Sequence, residues 1–294
     1  MKQRILTGII LLCLLVPVLV FSGTWLFPIV AAGFCTAAVY EMLRCLGTHR
    51  ILPIAIPAYL LSVGFPLGTV YAGGIGDGFG MQPVEPQGAV LFLLLLGASM
   101  TLYLFILFAA AVFSRRALFG FSDAAASYTM TYYIVLAFTT IPLIRMGQNG
   151  EYYYLLCFLG PWITDTFAYF TGYFFGRHKL IPEISPKKTV EGAIGGVLFC
   201  MLFFLLYGFA AGKITGLRPN YLVLGLVGAL VSCVSQIGDL IASLIKREHG
   251  VKDYSQLFPG HGGVMDRFDS VVAAAPLLLI ICTVDSLYGL HLLL

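Results

Sequence analysis

Charge is what this sequence has least of. Asp, Glu, Lys and Arg make up 11% of its 294 residues, against 59% hydrophobic residues, whereas a soluble domain is about a quarter charged. A surface so poor in charge does not stay dissolved. That excludes a soluble enzyme, leaves no nucleic-acid partner to expect, and makes lipid the solvent for most of the chain. Paired cysteines are missing too. The seven cysteines (positions 13, 35, 45, 157, 200, 233 and 282) lie scattered, nearly all in apolar runs, with no CxxC or CxxH spacing. Neither a disulfide framework nor a zinc site is expected from them. There is no repeat of solenoid length, and no inverted repeat of the transporter kind.

What the sequence has instead is a series of long apolar runs. A helix needs about 20 such residues to cross the hydrocarbon core of a bilayer. Runs near that length occupy 5–21, 24–43, 52–71, 88–113, 124–144, 152–173, 193–212, 220–244 and 270–290. In lipid such runs have no alternative to helix, so the expected fold is all-α: a polytopic integral membrane protein with about nine transmembrane helices. Met1-Lys2-Gln3-Arg4 and its apolar run resemble a signal peptide. However, the run is long for one and no small-x-small cleavage site follows, so it reads as the first span.

The basic residues orient these spans. With the N-terminus in the cytoplasm, Lys2, Arg4, Arg44, Arg50, Arg115, Arg116, Arg177, Lys179, Lys187, Lys188, Lys246, Arg247, Lys252 and Arg267 all fall inside. Of the 17 basic residues only Arg145, Lys213 and Arg218 fall outside, as the positive-inside rule requires. The expected location is the cell inner membrane. The loop 72–87 has GxGxxG-like spacing, but it neither follows a soluble strand nor opens a Rossmann helix, which rules out a dinucleotide reading.

Polar residues concentrate in the second half. Residues 1–150 read as a scaffold region, in which Glu41 and Arg44, three apart near a helix end, are expected to pair or snorkel. Residues 151–294 read as the catalytic region, with cytoplasmic loops 176–192 and 246–269. Asp165 sits inside an otherwise apolar run, where a carboxylate is normally turned toward a cavity or a partner. Ser232, Ser235, Asp239, Ser243 and Lys246 are spaced by three or four residues and share one helix face. That face runs into the segment 243–270, which adds Arg247, Glu248, His249, Lys252, Asp253, His261, Asp266, Arg267 and Asp269. Pro259-Gly260-His261-Gly262-Gly263 permits positive φ and a close backbone approach to a ligand.

Carboxylates without Cys or paired His favour a hard cation, Mg²⁺ rather than Zn²⁺. Lys and Arg beside such an ion favour phosphate, and glycine-rich backbone can offer amide hydrogens to the same anion. The expectation is a Mg²⁺–polyphosphate site. Ser185-Pro186-Lys187-Lys188-Thr189, before a helix, reads either as an anchor for anionic lipid head groups or as a direct substrate contact.

Taken together, these elements resemble the phosphatidate cytidylyltransferase (CDP-diacylglycerol synthase) family. The resemblance rests on Ser243-x-x-Lys246-Arg247, Lys252-Asp253, Leu257-x-Pro259-Gly260-His261-Gly262-Gly263-Val264-x-Asp266-Arg267-x-Asp269, Gly238-Asp239-Leu240, the Ser185–Gly192 element and Asp165-Thr166-Phe167-Ala168-Tyr169. It implies an enzyme that joins CTP and phosphatidic acid, releases pyrophosphate and yields CDP-diacylglycerol. It implies Mg²⁺ held by Asp239 and Asp266, and a homodimer.

On that basis Lys246, Arg247, Lys252 and Arg267 are expected to clamp phosphates. Asp253 and Asp269 hold a second cation or orient the basic residues. Ser185, Lys187, Lys188, Ser243, Gly262 and Gly263 are expected to line the substrate. His261 either donates to a phosphate oxygen or stabilises its turn. The competing readings are a CTP-dependent lipid kinase of related fold, which would leave CDP, and a cation-coupled transporter built on Asp165 and Asp239.

Overall fold

The structure, a computed structural model, describes residues 13, 15–72, 81, 86–114, 119–216, 218–289 and 292. Among these described residues there are eight long helices and one small hairpin. Seven of the helices are long and apolar enough to cross a membrane, so the chain is a multi-pass helical membrane protein. The expected span at 5–21 lies mostly outside the described residues, although 15–20 are helical. Most of the 72–87 loop, and Arg115 and Arg116, also lie outside them. The all-α expectation holds apart from the hairpin.

The chain divides into two compact units. The first contains α1 (Leu26–Cys45), α2 (Leu52–Ala72), α3 (Pro86–Phe113) and α4 (Phe121–Met146), together with the segment His249–Arg267. Helix α1 packs on α2 and α4, and α3 packs on both of these. The core is made of small and branched side chains such as Cys35, Ala38, Val39, Ile54, Ala58, Ile134 and Val135. Burial of hydroxyls links the helices where apolar attraction between them is weak. Thr36 and Ser62 lie 2.9 Å apart, and Thr48 and Ser127 3.1 Å apart. The outside is apolar: Leu94 is 65% and Phe105 70% exposed, as expected when the solvent is lipid.

The second unit comprises α5 (Gly150–Phe175), β1 (Lys179–Ile181), β2 (Ser185–Thr189), α6 (Val190–Thr215), α7 (Tyr221–Glu248) and the greater part of α8 (Met265–Tyr288). Helix α5, which holds the expected span 152–173, is 26 residues long but is not among the seven that are long and apolar enough to cross a membrane. Glycines let α5 and α6 approach closely: a Cβ on Gly195 would overlap Thr171, and one on Gly192 would come 2.7 Å from the Ala168 carbonyl oxygen. Strands β1 and β2 pair antiparallel, Lys179 with Thr189 and Ile181 with Ser185. The Thr189 side chain accepts the Gly192 N–H at 3.1 Å and so caps α6. Glu191, in the first turn of α6, accepts the N–H groups of Arg177 and His178 and lies 2.6 Å from the His178 ring. The hairpin is thereby tied to the helix it precedes.

Candidate active site

A cavity of about 510 Å³ opens between α5, the hairpin, α6 and α7. Its walls combine two kinds of residue that a membrane protein otherwise keeps apart. Lys179, Lys187 and Lys188 bring positive charge; Asp165 and Asp239 bring negative charge; Gln236, Tyr169 and Tyr173 complete the polar lining. The hairpin is what carries the lysines there, because strand pairing fixes the register of Ser185–Thr189 against Lys179–Ile181. Lys188 Nζ lies 2.5 Å from an Asp239 oxygen, with both side chains about one-quarter exposed (25% and 26%). An ammonium therefore stands against the carboxylate at a position where a cation is favoured.

Asp239 lies on the polar face of α7 that the spacing predicts. Ser232 and Ser235 on that face are fully buried, with the Ser235 hydroxyl donating to the Ser232 carbonyl at 2.9 Å. Gly238 matters for its neighbour: a Cβ there would overlap Ala273 of α8 and come 3.0 Å from the Asp269 carbonyl oxygen. The missing side chain brings α8 against α7, so Asp269, only 8% exposed, interacts electrostatically with Asp239, Lys246 and Asp165. The Ser270 N–H donates to Asp269 at 2.8 Å and the Ser270 hydroxyl to Asp165 at 3.3 Å. Gly238→Val is expected to push these helices apart at a cost of about 1–3 kcal/mol. A wild-type thermal-unfolding midpoint in detergent, together with wild-type turnover, would refute this packing argument.

The segment His249–Arg267 builds a second constellation within the first unit. Phe258 N–H donates to the Gly262 carbonyl at 2.9 Å and His261 N–H to the Phe258 carbonyl at 2.8 Å, closing a tight turn. Gly260 and Gly262 have φ of 77° and 83°, a region other residues rarely adopt. Asp266 Oδ2 accepts the N–H groups of Tyr254 at 2.8 Å and Gly263 at 3.0 Å. Arg267 Nε donates to the His261 carbonyl at 2.7 Å. Lys252, Asp253, His261, Gly262 and Arg267 line a cup of about 690 Å³, and His261 Nδ1 is buried without a partner among the described residues.

The predicted residues thus fall into two groups. Ser185, Lys187, Lys188, Asp239, Ser243, Lys246, Arg247 and Asp269 belong to the second unit. Lys252, Asp253, His261, Gly262, Gly263, Asp266 and Arg267 belong to the first. Arg247 is exposed and reaches the Ile184 carbonyl at 3.5 Å. One expectation is overturned: Glu41 does not pair with Arg44. It is buried, and it accepts hydrogen bonds from Ser255, Val264 and Met265. The partners lie more than 200 positions away, so helical spacing could not reveal them; the only clue was an acid near a helix's C-terminal end, where the dipole disfavours it.

Among the described residues, no three His, Cys, Asp or Glu side chains form a ready-made metal-ligand group. Mg²⁺ is usually held by one or two carboxylates, with waters and substrate phosphates completing its shell. The donors here are carboxylates with lysines alongside, the right chemistry for a magnesium–phosphate pair.

Helices that cross the bilayer many times, with lysines and carboxylates facing one another in a polar cavity, define a membrane enzyme suited to phosphate-bearing substrates. Residues 2–285 match the model of the Cytidylyltransferase family, and the chain belongs to that family. It is similar to the phosphatidate cytidylyltransferase of Staphylococcus haemolyticus (strain JCSC1435), at 34% identity over 284 residues that cover 95% of this chain and 97% of that one. Against the phosphatidate cytidylyltransferase of Staphylococcus aureus (strain COL) the identity is 36% over 278 residues, with coverage of 95% and 97%.

Proposed function

We propose that this protein transfers CMP from CTP to phosphatidic acid, forming CDP-diacylglycerol and pyrophosphate in phospholipid biosynthesis. The observation that carries the reading is the cavity where Lys179, Lys187 and Lys188 face Asp165 and Asp239. Lysines there suit phosphate oxygens, and carboxylates beside them suit the cation that accompanies a nucleoside triphosphate. The near-full-length likeness to enzymes named phosphatidate cytidylyltransferase supports the same substrate pair.

The reaction is an in-line displacement. A phosphate oxygen of phosphatidic acid attacks the α-phosphorus of CTP, the bond to the β-phosphate bridging oxygen breaks, and pyrophosphate leaves. The nucleophile is already anionic near neutral pH, because a phosphate monoester has a second pKa of about 6, so no strong general base is needed. Lys188, Lys246, Arg247, Lys252 and Arg267 hold phosphates and stabilise the charge that spreads during transfer. Asp269 orients Lys246. Asp239 and Asp266 would hold Mg²⁺, which when bound neutralises charge on the phosphates. The site faces the cytoplasm from the inner membrane, as the basic-residue distribution favours, and the expected assembly is a homodimer.

One assay separates the readings. Membranes carrying the protein receive phosphatidic acid, Mg²⁺ and CTP labelled in either the α- or the γ-phosphate. Transfer of α-label to the organic phase with release of pyrophosphate is expected; γ-label moving there instead would identify a kinase and refute the proposal.

A further inference from the structure

Glu41 is 2% exposed and lies just before the last turn of α1. Its Oε1 accepts the Ser255 hydroxyl at 2.6 Å and the Val264 N–H at 2.9 Å, and its Oε2 accepts the Met265 N–H at 2.8 Å. A carboxylate at a helix C-terminus works against the helix dipole, and a buried one is costly without hydrogen bonds. Three donors, two of them backbone amides at the start of α8, offset both penalties. The fit is close: a Cβ on Gly263 would overlap both Glu41 oxygens.

These contacts hold the run 255–265 at its two ends. Ser255 opens it, and Val264 and Met265 close it. Just outside the held residues lie Tyr254 and Asp266, and just inside lies Gly263; the Tyr254 and Gly263 amides are what orient the Asp266 carboxylate. We propose that Glu41 is a positioning residue for CMP transfer. It pins both ends of the glycine-rich loop and so fixes Asp266 and Arg267 at the start of α8. The proposal rests on reading that loop as part of the phosphate-handling machinery. Glu41 itself touches no substrate and acts through Asp266.

The test uses the full-length protein in detergent, comparing wild type with Glu41→Gln, Glu41→Ala, Gly263→Ala and the Glu41→Ala/Gly263→Ala double variant. Glu41→Gln keeps the shape but turns an amide donor toward an N–H donor. Amide hydrogens of Val264 and Met265 are then expected to exchange about tenfold faster or more. The kcat for CMP transfer falls, the KM for CTP changes less, and the thermal-unfolding midpoint stays near wild type. Gly263→Ala impairs the enzyme alone but adds nothing to Glu41→Ala, because the overlap has gone. Wild-type kcat or unchanged exchange in Glu41→Gln, or additive losses in the double variant, would overturn the proposal. If wild type itself transfers no CMP, the functional reading fails, and exchange together with the unfolding midpoint decides whether the pin exists.

Discussion

Asp239→Asn is expected to lower CMP transfer at least about a hundredfold while the protein still inserts and folds. The substitution changes almost no volume. It removes the negative charge that lies 2.5 Å from Lys188 Nζ and that interacts with Asp269. It also removes one of the two carboxylates proposed to hold Mg²⁺. Asp266→Asn should behave alike for the second reason, and it is a clean comparison. An asparagine oxygen can still accept the Tyr254 and Gly263 amides, so the loop keeps its shape and only the charge is lost. Turnover measured across a Mg²⁺ titration decides the matter. Near-normal rates in either variant with Mg²⁺ limiting would sink the metal assignment.

Lys188→Met should be comparably damaging, again at least about a hundredfold. Methionine preserves the length of the side chain along the hairpin but leaves Asp239 without its ammonium partner and the cavity without a phosphate contact. Because the two residues act on one another, the losses should not multiply. The double variant with Asp239→Asn is expected to be little worse than Asp239→Asn alone. Independent, fully multiplied losses would mean that the ion pair is irrelevant to catalysis.

The helical membrane fold was legible because lipid leaves an apolar run of about 20 residues no other structure. The α7 face was legible for a related reason: Ser232, Ser235, Asp239 and Lys246 recur at helical spacing, and spacing alone puts them on one side. The hairpin was not. Ser185-Pro186-Lys187-Lys188-Thr189 reads as a polar loop, and its strand pairing depends on Lys179–Ile181 and on Glu191 tying the turn down. The contact of Lys188 with Asp239 therefore could not be read from the 51 positions that separate them. Asp269 was recognised as part of the site, but its closeness to Asp239 depends on Gly238 letting α8 approach. Glu41 was missed because every local cue pointed to Arg44, whereas its partners come from the other end of the chain.

That last separation bears on how the protein is made. Ser255, Val264 and Met265 follow Glu41 by 214, 223 and 224 positions. While the ribosome is still translating the middle of the chain, α1 has entered the bilayer with a carboxylate whose donors do not yet exist. A buried carboxylate is costly without hydrogen bonds, so the site around Glu41 is completed only when the loop 255–265 is delivered. A chain truncated before residue 255 is therefore expected to leave the Glu41 carboxylate without these three donors.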